Sequence, residues 1–270
     1  MTAVSVSGLT KVFRTRGAAG GHRAVDAVGF DLAPGGSLGI VGESGSGKTT
    51  IARMLVGLER PSEGSISVLG RDRTGPARRA GERDRRAREL QIVFQDPYTS
   101  LDPSQSARAA VDEVLRHHTG RAPGPRAERL TELMDQVGLT DRQSRARPRD
   151  LSGGQRQRVA IARALAAEPG VLILDEAVSA LDVSIQAQIL NLLADIRAAT
   201  GIAYVLISHD LAVVRQLCDT VLVLRRGRVV EQGGCAEVLD DPAEDYTRAL
   251  RAAVPVPGWR PPVSGRGSAG

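Results

Sequence analysis

Apolar and polar positions alternate at the start of the chain, where Val4, Val6 and Leu9 are separated by polar residues, and this predicts a half-buried strand. The short runs GFDLAP (29–34) and SLGIV (37–41), broken by Pro34-Gly35-Gly36, predict further strands. TTIARMLVGL (49–58) then puts Ile51, Leu55 and Leu58 on one helical face, and Pro61 stops it. SISVL (65–69) alternates again between glycines, and ELQIVF (89–94) follows as a strand. From about residue 96 the rhythm becomes helical, in patches such as ARAAVDEVL and ERLTELMDQVGL separated by a stretch rich in Pro and Arg. That span predicts an inserted helical subdomain. Beyond it, RQRVAIARALAA reads as a helix, VLIL as a buried strand, QAQILNLLADIRAA as a helix and AYVLIS as another buried strand. Near-continuous apolar strands alternating with helices predict an α/β fold, a mainly parallel sheet covered on both faces.

Composition changes little in this picture. The 270 residues, 41% apolar and 25% charged, are enough for one large core or two modest ones. No apolar run approaches the roughly 18 residues of a membrane span. MTAVSVSGLTKVF lacks the charged start and apolar block of a secretory signal. Cys218 and Cys235 have no metal or redox spacing and are expected to be reduced thiols. Residues 255–270, with Trp259 among them, are too poor in apolar content to pack and are expected to be disordered. The remainder, 1–254, is expected to form one domain interrupted by the helical insertion at about 96–165.

Charge is more informative. The net +5 is matched by one run, Arg71 to Arg88, which has eight arginines against Asp72, Glu82 and Asp84. A nucleic-acid surface would need aromatic side chains or a recognition module beside it, and the run has none. A solvated linker or helix face is the expectation.

Against 34 arginines the chain has only two lysines, Lys11 and Lys48. Lys48 falls in GESGSGKTT, directly after the strand SLGIV and before a helix, and this is the context a phosphate loop requires. The glycines Gly42, Gly45 and Gly47 let backbone N–H groups of the Glu43-Ser44-Gly45-Ser46-Gly47 turn face phosphate oxygens, and the helix N-terminus beginning at Lys48 adds partial positive charge. Lys48 is a slim point charge suited to a narrow loop, and Thr49, followed by Thr50, can hold Mg²⁺. Asp175 and Glu176 close the apolar strand VLIL, as a Mg²⁺-binding acid and a base for an attacking water would. An acidic pair can also simply open a helix as its cap. His209 ends AYVLIS at the sheet edge where such folds bind ligands, whereas His22, His117 and His118 read as structural or solvated. A second helix head, Ser152-Gly153-Gly154-Gln155, offers another set of backbone donors. Two donor sets for one nucleotide make sense if two chains face each other head to tail.

With these residues in order, the chain resembles the ATP-binding subunits of ABC transporters over nearly its full length. The matching elements are the phosphate loop at 42–49, Gln95 in VFQDP, LSGGQ at 151–155, VLILDE at 171–176, SALD at 179–182 and His209. The resemblance implies a P-loop NTPase core with an N-terminal antiparallel β subdomain and an inserted α-helical subdomain. It implies ATP hydrolysis by two such subunits sandwiching two ATP molecules with Mg²⁺. It assigns Phe13 to stacking on adenine, Gln95 to Mg²⁺ or water and to sensing a membrane subunit, Asp182 to signalling across the dimer, and His209 to the γ-phosphate. QDPYTSLDP, DEAVSALDVSIQAQILNLL and the C-terminal CDTVLVLRRGRVVEQG and DPAEDYTRALRAAVP resemble the oligopeptide, dipeptide and nickel importer branch. That branch implies a second ATPase subunit, two permeases, an extracytoplasmic substrate-binding protein and a place on the cytoplasmic face of the membrane, without direct nucleic-acid contact. Arg147-Pro148-Arg149 and Asp102 depart from the branch pattern in the region that should meet a partner. Two other readings share the ATP chemistry: a soluble ABC ATPase acting on nucleic acid or the ribosome, and an accessory ATPase of phosphonate degradation.

Overall fold

The structure is a computed structural model that describes residues 2–14, 21–96 and 101–253. The expected disordered tail, Trp259 and residues 97–100 of QDPYTSLDP lie outside the described residues.

Two sheets organise the chain. Strands β1 (Val4–Phe13) and β2 (His22–Leu32) pair antiparallel, and β4 (Glu63–Val68) and β5 (Arg71–Asp72) extend them into the order β2-β1-β4-β5. The second sheet is built from β3 (Ser37–Val41), β6 (Leu90–Val93), β7 (Val171–Asp175), β8 (Ala203–Ile207), β9 (Thr220–Arg225) and β10 (Arg228–Gly234), in the order β10-β9-β3-β8-β7-β6. All its pairings are parallel except β9 with β10. The helices are α1 (Lys48–Leu55), α2 (Ala80–Glu89), α3 (Ala107–His118), α4 (Pro123–Gln136), α5 (Asp141–Arg145), α6 (Gly153–Leu165), α7 (Val183–Thr200), α8 (Leu211–Leu217), α9 (Cys235–Asp240) and α10 (Asp245–Ala252).

The period of two along each strand divides the core. Val171 and Ile173 of β7 join a cluster with α1 and the antiparallel sheet, through Ile51, Leu55, Val4 and Leu9. Leu172 and Leu174 point the other way, into a cluster with Ile161 of α6, Leu193 of α7 and Val214 of α8. All five β7 residues are buried, as are all five of β8, which is why these strands read as unbroken apolar runs. The helical insertion shares the second cluster through Leu115, Leu133 and Met134, so it is anchored to the sheet rather than hung from it.

The basic run forms β5, a loop and α2, a helix with no buried residue, which agrees with an exposed face. One arginine departs from that expectation. Arg73 is only 6% exposed and pairs with Glu89 at 2.8 Å, because the loop folds back over α2. Cys218 and Cys235 are buried free thiols, and burial pushes the Cys218 thiol well up.

Ile173 is fully buried in the middle of the sheet. Truncating it to Ala is expected to cost about 2–5 kcal/mol, read as a lower urea midpoint at unchanged slope.

Candidate functional site

The loop between β3 and α1 is shaped by close backbone approach. A Cβ on Gly42 would lie 2.1 Å from the Leu224 carbonyl oxygen, and one on Gly47 would lie 2.5 Å from that of Ala24. Both glycines also have left-handed φ, 150° and 110°, so any side chain there is excluded twice over. Among the described residues, the N–H groups of Gly45, Gly47, Lys48 and Thr49 make no hydrogen bond, so they form a set of open donors. The Lys48 ammonium is buried and donates to the carbonyls of Gly42 at 2.7 Å and Glu43 at 2.9 Å. Burial pulls its pKa below the ordinary lysine value, opposed by the charges of Glu176 and Asp175. The Ser46 hydroxyl is buried without a partner. Glu43 is exposed, and its N–H donates to the Tyr246 hydroxyl at 3.3 Å.

Both acids sit where β7 ends. The carboxylate of Asp175 accepts from the Thr49 hydroxyl at 3.4 Å. Burial raises its pKa above the ordinary carboxylate value, helped by Glu176 and opposed by the Thr49 hydrogen bond and by Arg53 and Lys48. Glu176 has φ of 53°, a left-handed conformation that costs a non-glycine residue about 1–3 kcal/mol. Its N–H donates to the Ile207 carbonyl at 2.9 Å, which pins this turn to the end of β8. Its carboxylate meets His209 Nδ1 at 2.7 Å. A carboxylate only accepts, so Nδ1 carries the proton and the exposed Nε2 edge is left to face a ligand. The acidic pair is therefore not a helix cap: α7 begins only at Val183, with Asp182 before it.

Lys48, Thr49, Thr50, Ser44, Gly45 and Gly47 border one cavity of about 720 Å³. Gln95, just past β6, and Glu176 and His209 complete the same wall. Phe13, 37% exposed at the end of β1, borders it too. So does His22, which the sequence reading set aside as structural or solvated. Strand pairing explains that difference, because His22 is the register partner of Phe13. Lys11 was also missed. Its ammonium lies 4.9 Å from the Phe13 ring centroid and pairs with Glu59 at 2.8 Å, holding the aromatic platform. Tyr246, in a C-terminal stretch read only as a branch feature, supports the loop through Glu43 and packs its ring against Arg225. Lys11 and Phe13 stand two apart on β1 and so share a face, which is a local signal, whereas nothing local links Lys11 to Glu59 or Glu43 to Tyr246.

Ser152, Gly153, Gly154 and Gln155 do not border this cavity. Ser152 caps α6 in a reciprocal box: its hydroxyl accepts from the Gln155 N–H at 3.3 Å, and the Gln155 side chain accepts from the Ser152 N–H at 2.9 Å. That box uses two of the four expected donors and leaves the N–H groups of Gly153 and Gly154. A Cβ on Gly154 would lie 2.5 Å from an Ile185 methyl, so this glycine lets α7 pack close. Asp182 is exposed and makes no side-chain cap bond. The helix head thus lies apart from the cavity.

The family model described as "ABC transporter" matches residues 25–179. This chain belongs to the ABC transporter family. It is similar to the oligopeptide transport ATP-binding protein OppD of Mycobacterium tuberculosis, 46% identical over 262 residues, covering 94% of this chain and 42% of that protein. The ABC-family chain therefore spans about two-fifths of the length of that relative. The di/tripeptide transport ATP-binding protein DppF of Pseudomonas aeruginosa is 43% identical over 258 residues, covering 94% of this chain and 79% of its own. Among solved structures, the dimeric ABC transporter cassette MJ0796 superposes with a TM-score of 0.77 at 28% identity, covering 86% of this chain and 98% of that one. Another structure of MJ0796 is a post-hydrolysis dimer bound to ADP and Pi, with a TM-score of 0.76, 28% identity and coverage of 86% and 98%. These likenesses agree with the α/β cassette architecture read from the sequence.

Because its pKa lies above the ordinary value, ionised Asp175 opposes folding of the nucleotide-free protein. Its contribution to stability is largest at acid pH and declines as pH rises from the ordinary carboxylate range through the raised one. Asp175→Asn should remove that part of the pH dependence and raise the melting temperature at neutral pH. Calorimetry across pH 3 to roughly pH 8 checks the sign.

Proposed function

We propose that this chain binds Mg·ATP in the cavity above the β3–α1 loop and hydrolyses it as one ATPase subunit of a peptide importer. The observation that carries this reading is the junction at the carboxyl ends of β3, β7 and β8. There an open row of backbone donors, a buried lysine, Glu176 and a histidine border one space, with Asp175 buried behind Thr49, while a further helix head with free donors lies elsewhere. The donor set suits a triphosphate: N–H groups and an ammonium for phosphoryl oxygens, with glycines where any Cβ would close the cradle.

Lys48 takes charge on the β- and γ-phosphates, and Phe13, with His22 beside it, receives the base, a stack worth ~1–3 kcal/mol. Thr49, Gln95 and Asp175 are the residues we assign to Mg²⁺, which when bound neutralises charge on the phosphoryl oxygens. Glu176 accepts a proton from the attacking water, work worth typically ~10²–10⁴-fold. The His209 Nε2 edge turns toward the γ-phosphate. Ser152, Gly153, Gly154 and Gln155 act on the nucleotide of a facing subunit, chiefly through the Gly153 and Gly154 N–H groups, and Asp182 lies beside that contact. We place the whole unit at about 1–254, with helices of the 96–165 region as the inserted subdomain.

Peptide import is supported by the similarity to OppD, an oligopeptide transport ATP-binding protein, and DppF, a di/tripeptide transport one. The importer reading itself implies separate permease subunits, a substrate-binding protein outside and a peripheral position at the cytoplasmic face; no helix among the described residues is long and apolar enough to cross a membrane. Nickel remains the branch's other cargo class.

Glu176→Gln is expected to bind ATP, reduce turnover by about 10²-fold or more and accumulate as a dimer; size-exclusion chromatography with a phosphate-release assay checks both. Turnover at the native rate would remove Glu176 as the base. Ser152→Arg should leave ATP binding to the isolated chain intact while abolishing hydrolysis, since the clash falls in a neighbour's site. An unchanged rate would remove the head-to-tail arrangement.

A further inference from the structure

Three arginines of the 71–88 run, Arg73, Arg83 and Arg86, border a cavity that the nucleotide reading does not use. This space, about 340 Å³, lies between the C-terminal end of α1 at Val56 and Gly57, the loop Thr74–Ala77, and one face of α2. Arg83, Arg86 and Ala87 border it from α2, and their i, i+3, i+4 spacing is that of a single helix face, while Leu90 borders it from the start of β6. Arg73 enters from the loop and Arg60 from the segment after α1, so four guanidinium groups border one small volume.

The acids nearby compensate only part of that charge. Among the described residues, Glu59 is the only acid bordering the cavity, and it is held by Lys11 at 2.8 Å. Glu82 is bound by Arg86 at 2.6 Å. Glu89 is shared among Arg71, Arg73 and Arg85. Arg60 and Arg83 are exposed, and neither has an acidic partner among the described residues. Arg73 and Arg86 lock each other in place. The Arg73 side chain donates to the Arg86 carbonyl at 3.0 Å, and that of Arg86 to the Gly75 carbonyl at 2.7 Å. Each still has a buried Nε–H with no partner. Burial pulls the Arg73 pKa down, opposed by its Glu89 partner, with Arg86 and Arg85 adding to the lowering. Arg73 and Arg86 are each held by an acid while Arg60 and Arg83 are not, so the space keeps an excess of cation that a bound anion would balance.

We infer that this cavity is a binding site for a small soluble molecule carrying a phosphate group. Planar guanidinium forks match phosphate oxygens in pairs, and two fixed arginines backed by two adjustable ones supply the donors for a dianion. Among the described residues no aromatic side chain borders the cavity on which a base could stack, which argues against RNA or a nucleotide. The volume is near the lower end for ligand pockets, enough for a phosphate and a compact organic body.

The test uses the full chain carrying Lys48→Ala, so that the β3–α1 loop no longer competes for phosphate. Inorganic phosphate and a sugar phosphate are titrated separately by calorimetry, and vesicles containing phosphatidic acid are tested by co-sedimentation. One soluble phosphate ligand per chain is expected. Arg60→Ala with Arg83→Ala should weaken it by about tenfold or more, and Arg83→Glu should abolish it. Both residues are exposed, so folding is checked simply by unchanged circular dichroism. In the otherwise native chain the same variants should leave ATP affinity unchanged. No uptake of either soluble phosphate overturns the proposal. So does uptake indifferent to the Arg60 and Arg83 changes, or binding only to vesicles or to RNA.

Discussion

A lysine ammonium buried beside two carboxylates is the constraint on which the rest of this molecule turns. Lys48 can stay charged in a closed loop only because the carbonyls of Gly42 and Glu43 accept from it and because Asp175 and Glu176 lie near. Those acids in turn are held where burial raises the pKa of one and a left-handed backbone strains the other. Each group is uncomfortable alone. A bound polyanion with its cation would relieve them together, and this is why such a cluster fits a site that cycles between filled and empty.

The fold serves that cluster by bringing strand ends together. β3, β7 and β8 are parallel, so their carboxyl ends share one edge, and the loop, the acids and His209 meet there from positions more than a hundred residues apart. The antiparallel sheet adds the Phe13 and His22 wall through β1–β2 pairing. The C-terminal helix α10 reaches back to steady the loop through Tyr246. What this single chain does not assemble is equally informative. Its Ser152–Gln155 helix head has two free N–H groups and lies outside the cavity, which supports a shared site in which each proposed subunit is incomplete.

The arginine pocket follows the same electrostatic logic with the opposite outcome. At the loop, cation and acids face one another; at α2, the acids are already taken and cations face the space. Both sites touch α1, one at its first residue and the other just beyond its last turn.

Much of this was legible from residues alone, for a physical reason. Buried parallel strands must be apolar on both faces, so VLIL and AYVLIS declare themselves, and a phosphate loop needs glycine and lysine at fixed spacing, so GESGSGKTT does too. The acids after VLIL and the capped helix at LSGGQ are likewise local. Pairing across sequence distance is not written locally. Lys11 on Glu59, His22 opposite Phe13, Tyr246 on Glu43, and Arg60 joining Arg73, Arg83 and Arg86 depend on register and on how helices dock. So does the strained turn at Glu176, because glutamate has no propensity for that conformation and only its bond to the end of β8 holds it there. The sequence by itself determined the elements and the chemistry each one carries; tertiary structure alone decided which distant side chains meet, because contacts arise from packing geometry and not from neighbouring residue types.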